Sequence, residues 1–218
     1  MIKLYGFELS FPVNRVRLCL NAMEVEYEFI RINPLAGENQ TDDYLKINPG
    51  AKIPTIDDNG YTLFESNAIM KYLCRKYKSD FYPDGIKVQA DVDKWLDYIA
   101  IHLGNGYGKV LFNKFLAKLV GAEVDEQSLK DGYSFIERYL GIIDQQLATS
   151  TFVTGDTMTI ADFCLLSTVD PSEAIEINMN DYPNVKAWQT KLIKESFYTD
   201  MHVSFVTTFE DLKPLLEK

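Results

Sequence analysis

Residues 51–66 read AKIPTIDDNGYTLFES, and the fold is decided by how this stretch is understood. Two short β-prone runs, Pro54 to Ile56 and Tyr61 to Phe64, flank Asp57-Asp58-Asn59-Gly60. Asn-Gly is a strong hairpin signal because both turn residues tolerate positive φ. Pro54 has no N–H to give to a ladder, so it belongs at the start of a strand or on an edge. If Ile53-Pro54 is cis, a placement reserved for a required geometry, the N–H and C=O of Ile53 face outward at the sheet margin. A short peptide can pair with them in strand fashion.

Upstream, Ile2 to Gly6 and Tyr27 to Ile32 read as strands, and between them Asn14 to Glu24 puts Val16, Leu20 and Met23 on one helical face. A strand-helix-strand crossover is right-handed, which makes these two strands parallel, whereas the hairpin must be antiparallel. Asp42 to Ile47 predicts a short helix, and Ser66 to Tyr77 a closing helix that buries Ile69, Tyr72 and Leu73. The order predicts a four-stranded mixed sheet within residues 1–78.

Downstream, SDFYPDGIK (79–87) is turn-rich and marks a linker over 79–88. Residues 89–218 carry almost only helical periodicity, a switch that signals an α/β domain followed by an all-α bundle. Val88, Val92, Trp95, Leu96, Ile99 and Leu103 recur at helical spacing, as do Leu129, Tyr133, Ile136, Leu140, Ile143 and Leu147. Thr159-Ile160-Ala161-Asp162 is a capping box, with Met158 placed to staple onto Phe163. Pro183 opens a further helix with Val185, Trp188 and Leu192 on one face. GNGYG (104–108) follows a helix, not a strand, and lacks the Lys-Ser/Thr of a phosphate loop, so it reads as a helix break or kink.

Composition excludes several classes of function. The 218 residues are 46% apolar and 13% aromatic, enough for a sizeable core. Twenty-two Lys and Arg against 32 Asp and Glu leave a net charge of −10, which repels a phosphate backbone and argues against nucleic acid as a partner. No stretch reaches the roughly 18 apolar residues of a membrane span, and MIKLYGF enters a strand pattern directly, so a cytoplasmic location is expected. Cys19, Cys74 and Cys164 are too few and too scattered for a disulfide framework or a zinc site. His102 and His202 have no second ligand at metal spacing, so no metal is expected.

Two helix beginnings in the first domain remain as chemistry. Ser10 precedes the first helix in LSFPVNRV, where its hydroxyl either faces a ligand across the strand ends or serves as an ordinary cap. Glu65-Ser66 stands where the hairpin turns into a helix. Ser66 can hold a carboxylate by its hydroxyl and N–H at the positive helix end, while Glu65 can hold an ammonium; the alternative is again a simple cap. A zwitterionic amino-acid end beside a groove that pairs peptide backbone points to a small γ-linked or ordinary peptide.

With LYGFELS followed by Arg15-Val16, NPGAKIPTIDDNGYTLFESNAIMKYL, FVTGDTMTIADF and DYPNVKAW, nearly the whole chain resembles the cytosolic glutathione transferase family, of a serine-type, theta- or phi-like class. The resemblance implies a thioredoxin-like domain, an all-helical domain, a homodimer, and glutathione as a substrate conjugated to hydrophobic electrophiles. It implies that Ile53 pairs with the cysteinyl backbone beside a cis Pro54. Glu65 and Ser66 would hold the γ-glutamyl end, and Lys52, Asn39 and Gln40 would reach the glycine carboxylate. Asn39 and Gln40 replace the basic residues of related classes. Ser10 is the candidate that activates the thiol, with Tyr5 as the alternative donor, expected to point away. The electrophile pocket is expected between the domains, walled by Phe11 and by the first long helix around His102 to Tyr107. Arg15-Val16-Arg17 also resembles the zeta-class isomerases, although Phe11-Pro12 stands where that class has Ser-Cys. A non-catalytic interaction module of the same fold is the remaining alternative.

Overall fold

The computed structural model describes residues 1–209. Strand β1 (Ile2–Gly6) buries Ile2 and Leu4 and leaves Lys3 exposed, the alternation of a strand with one covered face. It leads to α1 (Phe11–Ala22) and β2 (Tyr27–Arg31), which pairs parallel to β1 with Leu4 opposite Phe29. Helix α1 starts three residues before the expected Asn14, because Pro12 fits the first turn, where no N–H is needed. Ser10 is thereby placed directly at its N-cap.

After α2 (Asp42–Ile47), the quoted stretch forms β3 (Thr55–Asp58) and β4 (Tyr61–Phe64), joined by Asn59 and Gly60 at φ 53° and 94°. The sheet order is β2-β1-β3-β4, with β3 antiparallel to both neighbours. Helix α3 (Ser66–Tyr77) buries Ile69, Met70, Leu73 and Cys74, while Tyr72 is only half-buried. Tyr72 instead gives its hydroxyl to Asp58 at 2.6 Å.

Helix α4 (Ile86–Asp97) begins within the expected linker and leaves Val88 exposed. The helical run then continues through a π-helical turn (Tyr98–Leu103), α5 (Gly104–Leu111), a second π-helical turn (Phe112–Leu116) and α6 (Ala117–Leu119). It is followed by α7 (Glu126–Leu147), α8 (Ile160–Val169), α9 (Pro183–Leu192) and α10 (Ser196–Thr199). One hydrophobic core runs from Leu4 and Ile56 under the sheet to Phe163 and Trp188 in the bundle. No described helix is long and apolar enough to cross a membrane.

Of the break or kink expected at GNGYG, the break is overturned, because α5 runs through it; a π-helical turn ends just before it, at Leu103. A Cβ on Gly106 would lie 3.0 Å from the carbonyl oxygen of Gly132, and one on Gly132 would lie 3.0 Å from the carbonyl oxygen of Gly106. The two glycines let α5 and α7 approach backbone to backbone, which is packing and not punctuation.

Candidate active site

Ser10 has the extended backbone of an N-cap (φ −101°, ψ 107°), yet its side chain makes no capping bond. Its C=O accepts the N–H groups of Val13 and Asn14, both at 2.9 Å. Its hydroxyl has no partner among the described residues and opens on an apolar cavity of about 310 Å³, lined also by Phe7, Phe11, Leu111 and Phe209. Tyr5 alternates to the opposite side and packs edge-on against Tyr44 of α2, with ring centroids 6.2 Å apart.

A second cavity of about 350 Å³ adjoins the first, and Phe11, Pro12, Lys52 and Ile53 line both. Its remaining wall includes Arg15, Pro54, Glu65 and Ser66. The Ile53-Pro54 bond is cis, and no described residue hydrogen-bonds the N–H or C=O of Ile53. The preceding residue is pinned from below: the Lys52 carbonyl accepts the Tyr44 hydroxyl at 2.7 Å and Nδ2 of Asn48 at 2.9 Å. Glu65 sits at the N-cap of α3 with φ 71°, a conformation that costs a non-glycine residue about 1–3 kcal/mol and tends to persist where function needs it. Neither Glu65 nor Ser66 makes a side-chain hydrogen bond among the described residues, so both are open to a ligand.

At the other end Lys52 is exposed. Asn39 lines the apolar cavity, donates Nδ2 to the carbonyl of Ala51 at 2.8 Å and leaves Oδ1 buried without a partner. Gln40 is exposed on a 3-10 turn and lines neither cavity.

The pocket wall on the long helix differs from the expected one. Tyr107 is fully buried, its hydroxyl 2.7 Å from Oγ of Ser172, and burial pushes that hydroxyl above the ordinary tyrosine range. His102 is exposed and stacks on Tyr139 of α7, with centroids 5.0 Å apart, and it lines neither cavity. The residues of this helical run that line the cavities are Ala100, Gly104, Asn105, Gly108, Leu111 and Leu116, and all but Asn105 and Leu116 fall into one stripe. The spacing of the stripe is that of one helix face, and the small residues at 100, 104 and 108 leave the space open. That stripe is visible in the sequence, but which stripe meets the first domain is not. Phe209, almost at the end of the described chain, was also missed; it stacks on Phe115 with centroids 4.1 Å apart. Among the described residues no group of three or more His, Cys, Asp or Glu is placed to hold a metal.

This arrangement has known counterparts. Residues 1–75 match the family described as glutathione S-transferase, N-terminal domain, and residues 107–195 match glutathione S-transferase, C-terminal domain. A probable glutathione S-transferase, GSTF2 of Oryza sativa subsp. japonica, is 31% identical over 88% of this chain and 91% of its own length. A delta-class glutathione transferase of Nilaparvata lugens superposes with a TM-score of 0.86 at 28% identity, covering 99% of this chain and 100% of that one. Glutathione transferase F2 of Populus trichocarpa gives 0.83 at 28% identity, covering 92% and 97%. The chain belongs to the glutathione S-transferase family. These relatives bear transferase names, which favours a transferase over the isomerase and interaction-module alternatives.

Proposed function

We propose that this enzyme conjugates the glutathione thiolate to hydrophobic electrophiles, with Ser10 as the group that stabilises the thiolate. The observation that carries the reading is the unspent Ser10 hydroxyl at the start of α1, beside the residues shared by an apolar and a polar cavity. In the polar cavity Ile53 pairs with the cysteinyl backbone, Glu65 takes the ammonium of the γ-glutamyl end, and Ser66 takes its carboxylate. Lys52 takes the glycine carboxylate, with Asn39 rather than Gln40 beside it.

A free thiol with a pKa of about 8.5 is only a few per cent ionised at neutral pH. A hydroxyl donated to the sulfur, next to the positive end of a helix, favours the anion. The thiol proton leaves to water, and the thiolate attacks the electrophilic carbon and forms the C–S bond. The leaving group then departs with its electron pair, or the pair moves into the unsaturated system. The apolar cavity supports hydrophobic electrophiles as the class. Three free, buried cysteines support a reducing, cytoplasmic setting. Exposed Tyr61 and Phe64 on the edge strand β4 support a homodimer, to be checked by light scattering.

The test is retention on immobilised glutathione together with turnover of a generic aryl halide. Both are expected of the wild type, and turnover should be lost in Ser10→Ala while retention persists. Binding without turnover on a broad electrophile panel would instead support the interaction module.

A further inference from the structure

Asp170 is a buried carboxylate outside the candidate site. It closes α8, its side chain is 7% exposed, and among the described residues no Lys or Arg pairs with it. A buried carboxylate is costly unless donors meet it, and here they come from the C-terminal segment. Tyr198 of α10 donates its hydroxyl to Oδ1 at 2.5 Å, and Nδ1 of His202 lies 3.5 Å from Oδ2. The Tyr198 and His202 rings stack with centroids 4.6 Å apart. Burial and the neighbouring carboxylate hold the Tyr198 hydroxyl above the ordinary tyrosine range, so it stays a donor at neutral pH.

From this cluster the chain runs on to the apolar cavity. Phe205 borders the same small space as Asp170, Tyr198 and His202, a cavity of about 270 Å³ that shares no lining residue with the two cavities of the candidate site. One helical turn on, Phe209 stands with its ring centroid 6.0 Å from that of Phe205, stacks on Phe115 and lines the apolar cavity. Phe205 and Phe209 are 2% and 4% exposed, so where one ring sits constrains the other.

We propose that Asp170 is a positioning residue that, through Tyr198 and His202, holds Phe209 in the wall of the apolar cavity and so sets the size of electrophile the enzyme takes. This rests on the conjugation reading above and places a determinant of electrophile range outside the cavity itself. The coupling runs through packed groups: the carboxylate fixes Tyr198 and His202, these border Phe205, and Phe205 fixes Phe209. Without the Tyr198 hydroxyl the buried carboxylate loses its short hydrogen bond. The segment then loosens, and Phe209 yields its place to a larger ligand.

Kinetics are measured on the full chain with glutathione and two electrophiles, a small aryl halide and a bulkier one carrying a second ring. The proteins compared are the wild type, Tyr198→Phe, Asp170→Ala, Asp170→Asn, Phe209→Ala and the double variant Tyr198→Phe/Phe209→Ala. Tyr198→Phe keeps the ring stack and removes only the hydroxyl. It should raise KM for the small aryl halide about fivefold, the scale of one aromatic contact, lower KM for the bulkier electrophile, and leave KM for glutathione unchanged. Asp170→Ala should do the same, whereas Asp170→Asn, which keeps an acceptor for the Tyr198 hydroxyl, should restore most of the wild-type selectivity. Phe209→Ala should reproduce the shift, and the double variant should add nothing to it, because both changes act through one contact. A cluster that only fastens the C-terminal segment would lower the urea midpoint and leave the ratio of the two KM values unchanged, which overturns the proposal, as does an additive double variant. Should Asp170→Ala fail to fold, Tyr198→Phe and the double variant decide. A wild type that turns over neither electrophile overturns the conjugation reading instead. The proposal is then decided by affinity for a neutral, fluorescent apolar dye, which should fall about fivefold in both Tyr198→Phe and Phe209→Ala; a fall in Phe209→Ala alone overturns it.

Discussion

Helices α1 and α8 both start behind a hydroxyl residue, Ser10 in one and Thr159 in the other, and the two hydroxyls are used in opposite ways. At α8, Oγ1 of Thr159 accepts the N–H of Ala161 at 3.3 Å, and Oδ2 of Asp162 accepts the N–H of Thr159 at 2.9 Å. Oδ1 of Asp162 also takes the N–H of Val153 at 3.0 Å and Nε1–H of Trp188 at 3.1 Å. Burial pushes the Asp162 carboxyl up to about 6, while these hydrogen bonds favour its charged form. At α1 the corresponding hydroxyl has no partner among the described residues and borders a cavity. Buried polar groups are normally satisfied, so the saturated start of α8 is a structural joint, whereas the half-buried Ser10 hydroxyl remains free to meet a ligand.

The largest effect expected from this contrast is at the closed start. Asp162→Ala leaves three N–H donors in the core without an acceptor, so unfolding free energy should fall by about 3–5 kcal/mol, read from the urea midpoint. Folded material should still retain glutathione. At the open start, Ser10→Ala should lower kcat/KM about a hundredfold, as expected for one donor to a developing anion. Its urea midpoint should shift by less than about 0.5 kcal/mol equivalent, because no cap bond is lost. A Ser10→Ala protein that loses stability and keeps its rate would reverse the contrast.

Two glycines of one motif sharpen the same distinction between joint and site. Gly106→Ala presses a methyl against the Gly132 backbone and should cost about 1–3 kcal/mol. Gly108→Ala meets nothing within 4 Å, so it should gain up to about 1 kcal/mol of helix propensity while raising KM for bulky electrophiles. Equal stability changes at the two positions would deny that they serve different faces.

The smallest effect lies in the hairpin. Lys76 and Tyr72 hold the Asp58 carboxyl below the usual carboxylate range. A lowered folded value means that its stabilisation is complete above the ordinary range and is lost as pH falls through the folded one. Asp58→Asn should therefore cost about 1 kcal/mol at neutral pH, as for an ion pair whose cation is partly exposed, with the difference shrinking below about pH 4. A gap of constant size across that range would assign the cost to packing.

Local signals were legible because their partners lie within a few residues. Asn59-Gly60 specifies its turn by its own φ preference, and Thr159 to Asp162 closes its capping box within one helical turn. Glu65, Ser66, Ile53 and Ser10 could be singled out because each stands at a strand or helix end whose backbone chemistry is readable. His102 and Tyr107 were misplaced because helical periodicity shows which residues share a face and not which face meets another domain. GNGYG was misread for a related reason: its purpose is Gly132 on another helix, and no local pattern connects the two.

By itself the sequence determined the order of strands and helices in the first domain, the hairpin with its proline and the closed start of α8. These follow from backbone conformation, period and capping, all of which act over a few neighbouring residues. Only the tertiary structure decided that the Ser10 hydroxyl has no partner among the described residues, and that Ala100, Gly104 and Gly108 line the cavities while Tyr107 fills the core. Whether a polar group is satisfied depends on what distant segments bring to it, and that is settled when the two domains pack.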